Sequence, residues 1–267
     1  MTTSDIRVCL IVTAAGSSTR FGADKLGEDL GGRPVLLRAV EPFTKRDEVV
    51  RILVAAPPAS IEEFRGRFGP TLSFHGAVIV PGGAKARWES VRAALEHVPA
   101  DCTHVAIHDG ARPCLSGELL ERVFAAARVR DAVVPAVDVA DTVKRVGSER
   151  VAAAEDDALA DAILGDAGRE GSQGRLVRET IDREGLVLVQ TPQVFRADVL
   201  RRAYAQEGLD GATDDASIVE RLGVRVMVVE GEMRNLKVTT KSDLALARIL
   251  SSTRPASSGD RAGHLRF

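Results

Sequence analysis

The sequence predicts an α/β protein, a Rossmann-like open, mainly parallel sheet with helices on both faces. Three observations predict it. Short β-branched runs recur along the chain, each is followed by a segment with helical spacing of apolar residues, and most of the runs are apolar almost throughout. A strand that is apolar on both sides is one covered on both faces. Strands that alternate with amphipathic helices form parallel sheets joined by crossovers.

The runs IRVCLIVTA (6–14), VVRILVAA (49–56), GAVIVPG (76–82), THVAIHDG (103–110) and DAVVPAV (131–137) read as strands, and helices are expected at 33–45, 61–68, 86–98 and 117–129. Pro34 suits a first helical turn, where a missing N–H costs nothing, and Ser116 is a natural cap for the fourth helix. Ligands of such sheets sit beyond the carboxyl ends of the strands, so the loops at 14–25, 82–90 and 109–115 should share one rim. After Val137 the rhythm breaks. Residues 138–185, rich in charge, alanine and glycine, read as an arm or loop leaving the domain. The fold resumes with LVLVQTPQVF (186–195), a helix over 196–206, DDASIVERLG (214–223), the strand VRVMVVEG (224–231) and a closing helix at about 242–250. The expectation is one domain over 1–250 with an excursion at about 138–185, then a polar, disordered tail over 251–267.

A hydrophobic fraction of 45% and a charged fraction of 28% in 267 residues are those of a soluble globular protein. The net charge of −2 argues against a general surface for nucleic acid or membrane. Cys9, Cys102 and Cys114 are odd in number and widely spaced, which suits a reducing compartment and offers no metal-ligand spacing. The opening MTTSDIRVCLIV has no basic stretch before a long apolar one, and no run is long enough to span a bilayer. A cytoplasmic location is therefore expected.

Chemistry concentrates in the first loop, AAGSSTRFGADK, which follows a strand. Ala14, Ala15 and Gly16 let a ligand approach the backbone, whose N–H groups can line an anion. Arg20 grips phosphate oxygens through a planar fork and Lys25 acts as a compact charge, so the pair can neutralise a triphosphate and its transition state. GxxxxGK[ST], GxGxxG and GxSxG are all absent here, which removes the usual P-loop, the dinucleotide fingerprint and the hydrolase elbow.

The strand ending in AAG, then RFG, a lysine and LGGRPVL, resembles the opening of nucleotidyltransferases acting on sugar phosphates and related alcohols. Later segments narrow the resemblance. IHDGARPCL (107–115), DTVKRV (141–146), TIDREGL (180–186), QTPQVF (190–195), ATDDASIVE (212–220) and NLKVTTKSDLALA (235–247) stand in the order found in the 2-C-methyl-D-erythritol 4-phosphate cytidylyltransferase family. The resemblance covers about 8–250. It implies a fold of the nucleotide-diphospho-sugar transferase type with a protruding dimerisation arm. It also implies a reaction: the phosphate of methylerythritol phosphate attacks the α-phosphorus of CTP, and pyrophosphate leaves. The implied cofactor is a divalent cation, usually magnesium, held mainly by the CTP phosphates. The implied assembly is a homodimer in which an arm reaches the partner's site.

The resemblance assigns roles. Arg20 and Lys25 match the pair that stabilises the transition state, and Arg183 and Lys237 match the pair that positions the attacking phosphate, Arg183 coming from the partner subunit. Ala14, Ala15 and Gly16 match the backbone lining cytosine and triphosphate; Gly83 would approach the base and Ser90 the ribose. Asp109 would order a sugar hydroxyl or help position the cation, and is the candidate protein ligand for it. Asp109, Gly110, Arg112, Thr142, Thr191 and Thr213 match the acceptor side, with Lys144 and Gln193 beside them. Plainer roles stand alongside: Asp109 and Arg112 as a pair that fixes a loop, Thr213 as a helix cap, His108 as a structural histidine. An attacking phosphate is already anionic, so the reaction asks for no general base.

Three features depart from the family pattern. The loop RFGADKL is short, with Asp24 in place of proline before the lysine, and this spelling also resembles enzymes that transfer CMP or GMP to molybdopterin. The segment GGAKARWES carries one residue more than usual between Gly83 and Ser90, and an acidic stretch is added around 151–178. Ribitol 5-phosphate or molybdopterin as acceptor is the nearest alternative, and HDGARPCL with TIDREGL favours methylerythritol phosphate. A non-catalytic nucleotide-binding regulator would have lost the site's cations, and Arg20, Lys25, Arg183 and Lys237 are all present.

Overall fold

A computed structural model of the chain describes residues 6–16, 21, 24–152 and 173–252. Arg20, the middle of the acidic insertion and the tail beyond 252 lie outside the described residues. The chain divides into two compact units, one of residues 1–137 and 189–267 and one of 138–188.

In the first unit, β1 (Val8–Thr13), β2 (Val49–Ala56), β3 (Ala77–Pro81), β4 (His104–Asp109) and β5 (Ala132–Asp138) alternate with α1 (Val35–Val40), α2 (Ile61–Phe74), α3 (Arg87–Leu95) and α4 (Gly117–Ala127). Next along the chain come β6 (Val143–Val146), β7 (Val151–Ala152), β8 (Gln173–Gly174), β9 (Val177–Ile181) and β10 (Val187–Val189). The first unit is completed by β11 (Gln193–Arg196), α5 (Ala197–Tyr204), α6 (Asp215–Glu220), β12 (Met227–Glu230) and α7 (Lys241–Ser252). The main sheet runs β5-β11-β4-β1-β2-β3, with β12 alongside β5. It is parallel at β1–β2, β1–β4, β2–β3 and β5–β12, whereas β11 runs antiparallel to its neighbours β4 and β5.

The period of two in each strand divides the core between two faces. Val8, Leu10 and Val12 of β1 and Ile52 and Val54 of β2 cluster with Leu36, Val40, Phe64, Phe68, Leu72, Leu119, Val123 and Phe124 of α1, α2 and α4. Cys9, Ile11, Leu53, Val105 and Ile107 point the other way, to Val91 and Ala94 of α3, Val199, Leu200 and Ala203 of α5, and Ile218 and Val219 of α6. Each large apolar side chain among them contributes roughly 1.5–3 kcal/mol relative to exposure. A third cluster joins Phe21, Leu30, Val35, Cys114 and Val238 to Leu244 and Ala247 of α7, so the closing helix ties the first loop to the segment that carries Lys237. Cys9, Cys102 and Cys114 are buried free thiols, and burial pushes the Cys9 thiol up to about 12.

Several boundaries differ from expectation. The helix expected at 33–45 is α1 followed by a 3-10 turn over Glu41–Lys45, because Pro42 has no N–H to give the α-ladder. The second helix runs past 68 through Pro70 to Phe74, since Leu72 continues the buried stripe of Phe64 and Phe68. LVLVQTPQVF is two strands, β10 and β11, parted at Gln190–Thr191–Pro192, where proline has no N–H for a ladder. Ser116 caps α4, accepting from Leu119 N at 3.0 Å. The cap of α6 is Asp214 rather than Thr213: its carboxylate accepts from Ser217 N at 3.0 Å, and Thr213 sits one residue too early to reach that N–H.

In the second unit β6 pairs antiparallel with β9, Val143 opposite Ile181 and Lys144 opposite Thr180, and β7 pairs with β8. Its strands are mostly exposed, Val177 and Leu188 among them.

Candidate active site

The strand order places the site. From β1 the chain builds outward through β2 to β3, then returns to lay β4 against the other side of β1, so the crossovers reverse between β1 and β4. A crevice opens beyond the carboxyl ends of strands at such a point. The last residues of these two strands, Thr13 and Asp109, are register partners, and the Thr13 hydroxyl donates to Asp109 Oδ1 at 3.3 Å. Asp109 is thus the floor of the crevice.

Three cations face this buried carboxylate. Arg87 Nε lies 3.0 Å from Oδ1, Lys237 Nζ 2.8 Å from Oδ2, and Arg112 Nε 3.7 Å from Oδ2. Burial alone would raise the carboxyl's pKa, but the charges of Arg87, Lys237 and Arg112 outweigh it and hold Asp109 well below the usual carboxylate range. Asp109 is therefore ionised in the native protein throughout the physiological pH range.

Beneath Asp109 the polar groups close on one another. Its N–H donates to Thr191 Oγ1 at 3.0 Å, Thr191 Oγ1 meets His108 Nδ1 at 3.0 Å, and His108 Nε2 meets the Arg112 carbonyl at 3.2 Å. A carbonyl only accepts, so Nε2 carries the proton and Nδ1 accepts from the threonine. Burial pushes His108 down to about 4, so it is neutral, with both ring nitrogens engaged.

The cleft has a volume of about 480 Å³. One wall is the backbone of Ala14, Ala15 and Gly16 with Lys25 after it. Lys25 opens a 3-10 turn, Lys25–Gly27, capped by Asp24, which accepts from Leu26 N at 3.1 Å and pairs with Arg67 of α2. The residue that departs from the family spelling is thus the cap that presents the lysine. The other wall is the loop 83–87 and Ser90. The Ser90 hydroxyl accepts from Gly83 N at 3.0 Å, and a Cβ on Gly83 would meet Glu89 Cβ at 2.2 Å, so only glycine fits so close to α3. Glu89 takes the Lys85 N–H at 2.9 Å, which folds the longer loop back on its helix.

Lys237 arrives on a segment with no ladder of its own, held largely by side chains. Gln190 Nε2 donates to Glu232 O at 2.8 Å, Asn235 Nδ2 to Thr191 O at 2.8 Å, Arg112 Nη1 to Asn235 O at 2.7 Å, and Val238 N to Ala111 O at 2.8 Å. Asp109, Gly110 and Lys237 accordingly line the same cleft as Lys25, Gly83 and Ser90. Arg112 and Thr191 are not among the lining residues and stand behind Asp109; Thr213 lies ahead of α6, outside the lining. Thr142 and Arg183 belong to the second unit, where Thr142 precedes β6, the Arg183 guanidinium donates to Ala140 O, and Lys144 bonds Thr180.

This arrangement offers a backbone-lined, cation-rich cleft with a fixed carboxylate, suited to anionic substrates. A sequence model of the 2-C-methyl-D-erythritol 4-phosphate cytidylyltransferases matches residues 8–163 and 148–252. The chain belongs to this family. A cytidylyltransferase of that name from Frankia casuarinae is 41% identical over 249 residues, covering 91% of this chain and 81% of that protein. Its namesake in Symbiobacterium thermophilum is 41% identical over 251 residues, covering 92% and 93%. Among solved structures, the 2-C-methyl-D-erythritol 4-phosphate cytidylyltransferase of Thermus thermophilus aligns with a TM-score of 0.67 at 30% identity, covering 94% of this chain and all (100%) of that one.

Sequence reasoning passed over two residues of this cytidylyltransferase's site. Arg87 lines the cleft and bridges Asp109 to Asp215, whose Oδ2 lies 2.6 Å from Nη1. Asp215 itself is fully buried (0% exposed). Both stood inside quoted motifs, GGAKARWES and ATDDASIVE, but no local spacing signals that residues so far apart meet.

Proposed function

We propose that the chain transfers CMP from CTP to 2-C-methyl-D-erythritol 4-phosphate. The products are 4-diphosphocytidyl-2-C-methyl-D-erythritol and pyrophosphate, in the non-mevalonate route to isoprenoid precursors. The observation that carries this reading is the cleft at the β1–β4 reversal, lined by Lys25, Arg87 and Lys237, where Arg87 and Lys237 pair with the buried carboxylate of Asp109. Family membership and the names of the relatives support it.

The chemistry follows from charge. Two anions must meet, and the five-coordinate phosphorus spreads negative charge over its oxygens. Lys25, with Arg20, neutralises the triphosphate; the backbone at Ala14, Ala15, Gly16 and Gly83 and the Ser90 hydroxyl hold the nucleoside. Lys237, on a flexible stem, exchanges Asp109 for the acceptor phosphate, and Gly110 and Arg112 shape the acceptor side. His108, neutral and doubly hydrogen-bonded, takes no proton from the nucleophile.

The residues fit a magnesium ion carried by the nucleotide. Magnesium is usually bound through one or two carboxylates plus substrate phosphates. Asp109 is one such carboxylate, and among the described residues no three His, Cys, Asp or Glu stand together as a cage. When bound, the cation offsets charge on the triphosphate. The functional unit is a homodimer in the cytoplasm, Arg183 of each arm, near Thr142, serving the partner's site. A ribbon of short, exposed strands is marginal alone, which supports a partner for it. Among the described residues no helix is long and apolar enough to cross a membrane.

The test is pyrophosphate release from CTP and magnesium with methylerythritol phosphate, ribitol 5-phosphate or no acceptor. Release is expected only with methylerythritol phosphate, to stop with EDTA, and to fall about a hundredfold in Lys237→Ala. Release only with ribitol 5-phosphate would overturn the acceptor and keep the chemistry.

A further inference from the structure

Behind Asp109 a chain of polar contacts runs away from the cleft and ends at a phenol. Arg87 spans two carboxylates, Nε to Asp109 Oδ1 at 3.0 Å and Nη1 to Asp215 Oδ2 at 2.6 Å. The Tyr204 hydroxyl donates to the other oxygen of Asp215 at 2.5 Å. Gln193 Oε1 takes the N–H groups of Asp215 and Ala216 at 3.2 and 3.0 Å, while its Nε2 donates to Asp214 at 2.8 Å. Asp215 and Tyr204 are buried and do not line the cleft, so neither has a substrate to hold. A buried carboxylate is costly unless paired, and here its pairing is aimed at the floor of the site.

The two oxygens of Asp109 are treated differently. Oδ1 is held by Arg87 and by Thr13 at 3.3 Å, both on the α3 and β1 side; Oδ2 faces Lys237 at 2.8 Å, with Arg112 Nε, outside the cleft lining, at the longer distance of 3.7 Å. We propose that Asp215, braced by Tyr204, is a positioning residue that acts through Arg87 to pin Asp109 Oδ1, leaving Oδ2 as the oxygen presented to the cleft once Lys237 moves to the acceptor phosphate. An arginine suits the bridge because its planar fork fixes two carboxylates in one geometry, which a lysine does not. Without Asp215, Arg87 keeps its attraction to Asp109 but loses the second anchor that sets its plane, and Asp109 can rotate. The proposal rests on the CMP-transfer reading.

The experiment is a double-mutant cycle on the full-length chain, with kcat and KM for CTP and for methylerythritol phosphate, CTP affinity by calorimetry, and Tm. Asp215→Asn is expected to lower kcat about tenfold or more with CTP affinity within about twofold, and Tyr204→Phe to lower it about threefold. Arg87→Met is expected to lose at least as much as Asp215→Asn, and the double variant no more than Arg87→Met. Losses that multiply in the double variant overturn the proposal. So does a lowered Tm with unchanged kcat, which is what a merely structural Asp215 gives. If Asp215→Asn does not fold, the cycle of Tyr204→Phe with Arg87→Met is judged by the same criterion. A wild type that binds CTP but releases no pyrophosphate with the acceptor overturns the transfer reading, and the proposal with it; an active wild type with multiplying losses overturns only the proposal.

Discussion

His108 illustrates how a residue's role is decided by what its ring nitrogens touch. Beside Asp109 it has the place of a catalytic base, but its partners are Thr191 and the Arg112 carbonyl, and burial holds it near 4 against 6.5 in the open chain. Between those values the unfolded chain binds a proton that the native protein refuses, so stability is lost as pH falls from about 6.5 to about 4. At about 1.4 kcal/mol per pH unit between the two values, the loss approaches 3 kcal/mol. Asp109 acts in the same direction but only lower, below the ordinary carboxylate range, because its native value is depressed. Urea midpoints across the upper window should fall steeply in the wild type and less in His108→Asn, with His104, also lowered by burial, common to both. An equally steep fall in the variant would remove His108 as the source.

At the scale of elements, caps, prolines and hydrophobic spacing each decided some boundaries and not others. Ser116 was readable as a cap from its place after Pro113, and it both accepts from Leu119 N and donates to Glu232 Oε1 at 2.8 Å, tying α4 to the segment after β12. Ser116→Ala should therefore cost about 1–2 kcal/mol by urea unfolding, with Ser116→Thr recovering most of it. Neither signal alone set the ends of α1 and α2: Pro42, lacking a backbone donor, ends the α-ladder of α1, whereas the buried stripe of Phe64, Phe68 and Leu72 carries α2 past Pro70. Asp214 holds the cap that the spelling assigned to Thr213, since a cap must sit the right number of residues before the free N–H groups.

At the scale of the molecule, two clusters on the two faces of one sheet stabilise the first unit, and the second unit has a ribbon whose strands lie mostly at the surface. If the arm of each subunit serves its partner, Arg183→Ala and Lys237→Ala chains are each inactive but complement when mixed. Random exchange then restores about one quarter of wild-type sites, because only the mixed dimer keeps one intact site. No recovery after exchange, with dimers verified by light scattering, would place Arg183 in its own subunit's site or in none.

The sequence by itself determined the alternation of strands and helices, the loops that share a rim, and, through motifs in order, the family and most residues of the cleft. These are local or list-like properties: periodicity, turn chemistry and spelling survive in one dimension. Only the tertiary structure decided that β4 pairs with β1, that antiparallel β11 separates β4 from β5, and that Thr13, Arg87, Asp109, Asp215 and Lys237 meet. The reason is physical. Strand order and buried charge pairing depend on contacts between residues far apart in the chain, and a side chain's role is set by the charges that burial forces upon it.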